Sequence, residues 1–308
     1  MVDLLLSLIG AYALICFCAF LLHRYFVYMP DRRRIAPAEA GLAGVQEITL
    51  KTRDGVILIA WYAQAKGDKP TLLYFTGNGG SAATRASKIA RMQASGYGVF
   101  ILNYRRYGGS GGWPSERNNI ADAVAAYDRL LSLGVAREDI VAYGESLGTA
   151  VATRLSLQRP VRAVVLEAPF TSVVDVGKLS WGFLPLSLVM VDQYRTIDHI
   201  ATLRVPLLIV HGARDRVIPV GQARHLYTKA RQPKTLAILP RGDHNDLFDR
   251  GAWEKVHGFL EALVPAEHAD VAAAEFAADE EGLTAERFAA EPVLAASANA
   301  ATGATLES

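Results

Sequence analysis

Three regimes of hydrophobic patterning divide the chain. Residues 4–22, LLLSLIGAYALICFCAFLL, run nineteen positions without a charge. At about 1.5 Å per residue this length matches a hydrocarbon core of about 30 Å. A soluble core helix apolar on every face would have to be surrounded by protein, so a membrane-crossing helix is the expectation. A cleaved signal peptide calls for a basic leader, an apolar stretch of roughly 7–15 residues and a small-residue cleavage site. Here Asp3 is the only charge upstream and the run is longer. Residues 1–28 therefore read as an uncleaved single-pass anchor. Tyr25, Phe26 and Tyr28 are expected at the membrane interface, and Arg24, Arg32, Arg33 and Arg34 lie on the C-terminal side. The positive-inside rule then leaves the rest of the chain cytoplasmic.

Beyond the anchor, short apolar runs alternate with helical spacing. Residues 45–52 and 56–63 flank Asp54-Gly55, the turn signal of a hairpin. The runs 71–75, 98–103, 140–143, 163–166, 205–210 and 235–239 are apolar on both faces, as the strands of a covered parallel sheet must be. Between them, Ile120, Val124, Ala125, Tyr127, Asp128 and Leu131 predict one helix face, and Ile89, Met92 and Gln93 another. The expectation over residues 29–264 is an α/β domain whose mostly parallel sheet of about eight strands is antiparallel at its start, with helices on both faces. From residue 265 periodicity stops. Residues 265–308 read as an acidic, alanine-rich disordered tail with too few large apolar side chains to bury a core.

Charge and cysteine content narrow the function classes. Of 308 residues, 32 are Lys or Arg and 31 Asp or Glu, a net charge of +1 that argues against a nucleic-acid binder working through net charge. The balance conceals a tail of net −8 and a body of net +9. Both cysteines, Cys16 and Cys18, lie inside the first apolar run, which removes disulfides and cysteine zinc sites from the body.

The chemistry centres on Gly144-Glu145-Ser146-Leu147-Gly148, a GxSxG between an expected strand and an expected helix. A nucleophile elbow forces the serine into a strained turn, so small residues are needed two positions before and after it. A serine hydroxyl needs a base within hydrogen-bond reach, oriented by a carboxylate. In the order Ser, acid, His, the acid falls to Asp215, in the turn after the run 205–210, ahead of Asp192 and Asp198 in a less regular segment. The base falls to His244, in a loop after the last strand; His211 reads as a packing residue at a strand end. An oxyanion needs backbone donors: the N–H of Leu147, and one from the glycine-rich run Thr76-Gly77-Asn78-Gly79-Gly80, assigned to Asn78. With neither GxxxxGK[ST] nor GxGxxG, that run is not read as a nucleotide loop.

These residues, with Asn103 to Ser110, Ala168 to Ser172 and Ile218-Pro219 in matching order, resemble the α/β-hydrolase superfamily over residues 45–263. The likeness is to membrane-anchored, small-cap serine hydrolases of the serine aminopeptidase-like, lysophospholipase-like and depalmitoylase-like groups. It implies a Ser146, Asp215, His244 triad with Asn78 and Leu147 as oxyanion hole, and neither metal nor organic cofactor. Thr76, Asn103 and Arg106 stand where such proteins usually carry His, Asp and Gly. Residues 171–200, with Trp181, Phe183, Leu188 and Met190, occupy the place of a cap, serving either as ordinary packing or as an acyl-contacting lid. The expected activity is cleavage of carboxylic esters or thioesters, the substrate a lipid or acylated protein presented at the bilayer. Amide hydrolysis of the aminopeptidase type, and a catalytically silent membrane-tethered scaffold, are the alternatives.

Overall fold

The computed structural model describes residues 1–263; the expected tail lies outside them. Helix α1 spans Val2–Val27. The hairpin follows as β1, Gln46–Lys51, and β2, Ile57–Ala63, antiparallel with Leu50 opposite Leu58. Gly55 takes φ +82° in the turn, where the Thr52 N–H donates to the Val56 carbonyl at 2.9 Å. The remaining strands are β3 (Thr71–Phe75), β4 (Gly98–Leu102), β5 (Ile140–Glu145), β6 (Ala163–Glu167), β7 (Leu207–Gly212) and β8 (Lys234–Leu239). They form one sheet in the order β1-β2-β4-β3-β5-β6-β7-β8, parallel from β4 onward.

Strand alternation divides the core. Leu73 and Phe75 of β3 join one apolar cluster with Ala142 and Leu166; Leu72 and Tyr74 join the other with Val141 and Val165. The first cluster is covered by α3 (Glu116–Ser132), α4 (Leu147–Leu155) and α7 (Val220–Lys229), the second by α2 (Ala86–Ala94) and α8 (Trp253–Glu261). Helices on both faces satisfy the two-sided burial a parallel sheet requires.

The expected face of α3 is displaced. Ile120, Ala123, Ala126, Tyr127 and Leu130 are buried, whereas Leu131 is exposed. A polar residue hides in the stripe: Asp122 is buried and receives two hydrogen bonds from Arg105, which also bonds Asp54. Paired charge lets a carboxylate occupy a position that an apolar count passes over.

Between β6 and β7 the chain forms α5 (Val173–Trp181) and the single turn α6 (Leu186–Val189). Helix α1 is long and apolar enough to cross a membrane, and only His23 and Val27 on it are buried. Its C-terminal end meets the α5–α6 segment: the Phe26 and Trp181 rings lie 6.3 Å apart, and Arg24 Nε donates to Asp192 Oδ2 at 2.8 Å. Tyr28, expected at the interface, is instead buried, with its hydroxyl 3.1 Å from Asp192 Oδ2 and 2.8 Å from Tyr194 Oη. The Asp192 carboxylate and the Tyr194 hydroxyl supply a partner that draws the Tyr28 hydroxyl inward.

Candidate active site

Ser146 joins β5 to α4 with φ +50° and ψ −114°, a strained conformation for a residue with a side chain. The flanking glycines make the turn sterically feasible. A Cβ on Gly148 would lie 2.1 Å from the Phe75 carbonyl oxygen, and one on Gly144 would lie 2.4 Å from that of Gly148. Strand β3 and the first turn of α4 therefore touch through bare backbone. The Ser146 N–H donates to the Glu167 carbonyl at 2.8 Å, holding the elbow to β6.

The structure brings the three sequence-predicted side chains together. His244 Nε2 lies 3.1 Å from Ser146 Oγ, and His244 Nδ1 lies 2.8 Å from Asp215 Oδ2. Asp215 is fixed on its other side, where Oδ1 accepts the N–H groups of Val217 and Ile218 at 2.8 and 2.7 Å. Burial pushes the Asp215 carboxyl up, but hydrogen bonds from His211 and His244, the His244 charge and the Ile218 N–H outweigh it, holding the group well below the usual carboxylate range. The other two acids are committed elsewhere, Asp192 to Arg24 and Tyr28, and Asp198 to Arg195.

His211 does more than pack. Its Nε2 lies 2.8 Å from the Ile218 carbonyl oxygen and 3.3 Å from Asp215 Oδ2, so it braces the turn carrying the acid. Its position four residues before Asp215 is the signal that could have shown this.

Leu147 heads α4, where the first N–H groups have no partner within the helix. The glycine-rich run after β3 lies over the elbow: a Cβ on Gly77 would be 3.4 Å from Ser146 Cβ. Asn78 directs its side-chain amide away, Nδ2 donating to the Val27 carbonyl at 3.0 Å, so any donation toward Ser146 falls to its main chain.

Sequence reasoning missed the charge cluster beneath the serine. Glu145 receives Arg85 Nη2 at 2.6 Å and Lys88 Nζ at 2.7 Å, and Lys88 also reaches Glu167 at 2.9 Å. Tyr74 bonds Glu145 and Tyr143 bonds Glu167. Burial raises the Glu145 carboxyl, but the Lys88 and Arg85 charges and their hydrogen bonds bring it well below the usual range. Burial first, and then the neighbouring carboxylates, hold the Tyr74 and Tyr143 hydroxyls well above the usual range, at Tyr74 against the Lys88 and Arg85 charges. Arg85 also donates to the Gly79 carbonyl at 3.0 Å, joining the elbow to the glycine-rich loop.

On this strand order a serine between β5 and α4, an acid after β7 and a histidine after β8 meet in one chain of contacts. The sequence model described as serine aminopeptidase, S33, matches residues 67–190 and 176–251. The chain belongs to the serine aminopeptidase S33 family of α/β hydrolases. It is 35% identical over 226 residues to an uncharacterised protein of Mycobacterium tuberculosis, covering 72% of this chain and 80% of that one. It is also 35% identical over 258 residues to the α/β hydrolase domain-containing protein WAV2 of Arabidopsis thaliana, covering 75% and 83%. Among solved structures, the Pyrococcus furiosus esterase PF2001 superposes with a TM-score of 0.62 at 20% identity, over 77% of this chain and 98% of that one, a likeness of fold.

The three residues expected to depart from the hydrolase pattern, Asn103, Arg106 and Thr76, each make local contacts. Asn103 Oδ1 accepts the Ala82 N–H at 2.8 Å. Arg106, at a glycine position, keeps a left-handed φ of +74° and lays its guanidinium 3.7 Å from the centroid of the Trp113 ring. Thr76, which opens the glycine-rich run, is buried, and the Tyr104 hydroxyl donates to its carbonyl at 3.1 Å.

Proposed function

We propose that this hydrolase is a serine esterase or thioesterase, tethered by α1 to a membrane with its catalytic body on the cytoplasmic side. The single observation that carries the reading is the chain of contacts from Ser146 Oγ through His244 to Asp215, with a basic nitrogen within reach of the hydroxyl and a buried carboxylate on the far side of the ring. His244 Nε2 takes the hydroxyl proton as Ser146 Oγ attacks the substrate carbonyl. Asp215 holds the ring with Nδ1 protonated and stabilises the imidazolium. The oxyanion that forms is met by the N–H groups of Leu147 and Asn78. His244 then returns the proton to the leaving oxygen or sulfur, leaving an acyl-Ser146 ester. Water, deprotonated by the same nitrogen, attacks the acyl carbon, and the imidazolium gives that proton to the departing Ser146 Oγ as the carboxylic acid is released.

The family description favours a second reading, hydrolysis of amino-acid amides, which differs only in the leaving group. The anchor, with the α5–α6 segment packed on its end, supports substrates presented at a bilayer, an acyl lipid or an acylated protein. The deciding experiment is labelling of the full-length protein with a fluorophosphonate probe and mapping of the modified peptide, followed by a panel of esters, thioesters and aminoacyl amides. Labelling at Ser146 with turnover of esters or thioesters is expected. Folded protein unlabelled at Ser146 overturns the hydrolytic reading, and turnover confined to amides replaces it with the peptidase one. Protease accessibility in sealed vesicles tests the cytoplasmic side.

A further inference from the structure

The exit of α1 is hydrogen-bonded into the glycine-rich loop beside Ser146. Met29 and Pro30 pair in parallel with Gly79 and Gly80. The Met29 N–H donates to the Asn78 carbonyl at 2.9 Å and the Asp31 N–H to the Gly80 carbonyl at 3.1 Å. In return Asn78 Nδ2 donates to the carbonyl of Val27, the last residue of α1. The Tyr107 hydroxyl is a second donor to the Asn78 carbonyl, at 2.6 Å. On its other side the exit segment is held by the Tyr28 hydroxyl on Asp192 and Tyr194, with Tyr194 in turn receiving Asn119 Nδ2 at 3.0 Å.

Asn78 is thus tied at its carbonyl and at its side chain. Its main-chain N–H is borne on the Cα that these two bonds locate, so a shift of residues 27–31 that moves Asn78 carries the N–H with it. We propose that residues 27–31 are positioning residues for the oxyanion loop, so that the anchor and the reacting site form one mechanical unit. The inference rests on the reading of Asn78 as an oxyanion donor. It goes beyond tethering, because the segment leaving the membrane then sets the rate of the chemical step and not only the location of the enzyme.

The test uses the full chain in vesicles of neutral phospholipid with a soluble ester. Met29→Pro removes the N–H and sets the ring Cδ against the Asn78 carbonyl, severing this pairing; the Met29 side chain is exposed, and Tyr28 already has the extended backbone (φ −110°, ψ 119°) that precedes proline. Its kcat per fluorophosphonate-titrated serine is expected to fall about 10- to 100-fold, the scale of a misplaced or lost oxyanion donor, with KM within about threefold. Met29→Ala, which keeps the N–H, restores kcat. Asn78→Ala keeps its own N–H, loses the bond to Val27 and falls comparably, and the double variant falls little further because both changes sever one connection. Folded Met29→Pro with kcat per titrated serine within about twofold of wild type overturns the proposal; if that variant does not fold, Asn78→Ala decides by the same criterion. Wild type that neither labels at Ser146 nor turns over ester overturns the hydrolase reading instead.

Discussion

Arg216 Nε stands 2.8 Å from Asp243 Oδ2, and this pair joins the loop that carries Asp215 to the loop that carries His244. Asp243 Oδ1 also accepts the N–H groups of Arg216 and His244, at 3.1 and 2.8 Å. The carboxylate therefore gathers two backbone donors as well as the guanidinium. An exposed ion pair alone contributes about 0–1 kcal/mol and weakens with salt, whereas the backbone bonds fix the entry to His244. Asp243→Ala is expected to lower kcat about tenfold and Arg216→Ala only about twofold. Steady-state ester kinetics at low and high ionic strength checks this, with salt erasing the Arg216→Ala difference and leaving that of Asp243→Ala.

Asp215→Asn keeps the side-chain shape but offers an amide where, in the proposed mechanism, His244 needs a carboxylate to fix its tautomer. A fall in kcat of about 10⁴ is expected, by analogy with the same change in serine proteases. Ser146→Ala should abolish probe labelling outright while leaving the far-ultraviolet circular dichroism unchanged. Equal loss of secondary structure in these variants would move Asp215 and Ser146 from chemistry to folding.

The depressed carboxylates Glu145 and Asp215 set the acid limit. Unfolded, such groups titrate near 4. A carboxyl held lower in the folded protein contributes stability that is complete above that value and is lost as pH falls toward the folded one. Thermal unfolding midpoints should be level from pH 8 to about 6 and decline below about 5. Glu145→Gln flattens that decline but lowers the plateau by about 3 kcal/mol, since Arg85 and Lys88 keep their charges with one carboxylate fewer. A calorimetric series across pH on both proteins measures the two effects together.

The parallel strands were legible because each is a short apolar run ending at a turn, and Thr71–Phe75 emerges with its expected bounds. The nearness of Ser146, His244 and Asp215 was legible because strand order fixes which loops meet at one sheet edge. Contacts between distant segments were not. Nothing in the spacing of Arg85 or Lys88 says that both end against Glu145, nor that Tyr28 turns from the interface toward Asp192. The pairing of residues 29–30 with 79–80 is likewise a product of where α1 ends, since its backbone bonds leave no mark in side-chain chemistry. Buried charge defeated the pattern on α3 for the related reason that Asp122 is polar in sequence and neutralised by Arg105 in three dimensions.

Arg106 separates backbone strain from side-chain contact. A left-handed φ in a residue bearing a Cβ costs on the order of 1 kcal/mol or more, and an Arg over a Trp face offsets about 0.5–1 kcal/mol of it. Arg106→Gly removes both terms and adds roughly 0.5–1 kcal/mol of unfolded-chain entropy, so its net effect on stability should lie near zero. Arg106→Ala loses the Trp113 contact while keeping φ at +74°, and should be destabilised by about 1 kcal/mol. In a domain of this size that difference corresponds to about 2–4 °C in Tm. Differential scanning calorimetry is expected to order the three proteins with wild type and Arg106→Gly together and Arg106→Ala below. Equal midpoints for Gly and Ala would mean that the turn at residue 106 relaxes when the ring contact is lost, and that Trp113, rather than the neighbouring fold, imposes its conformation.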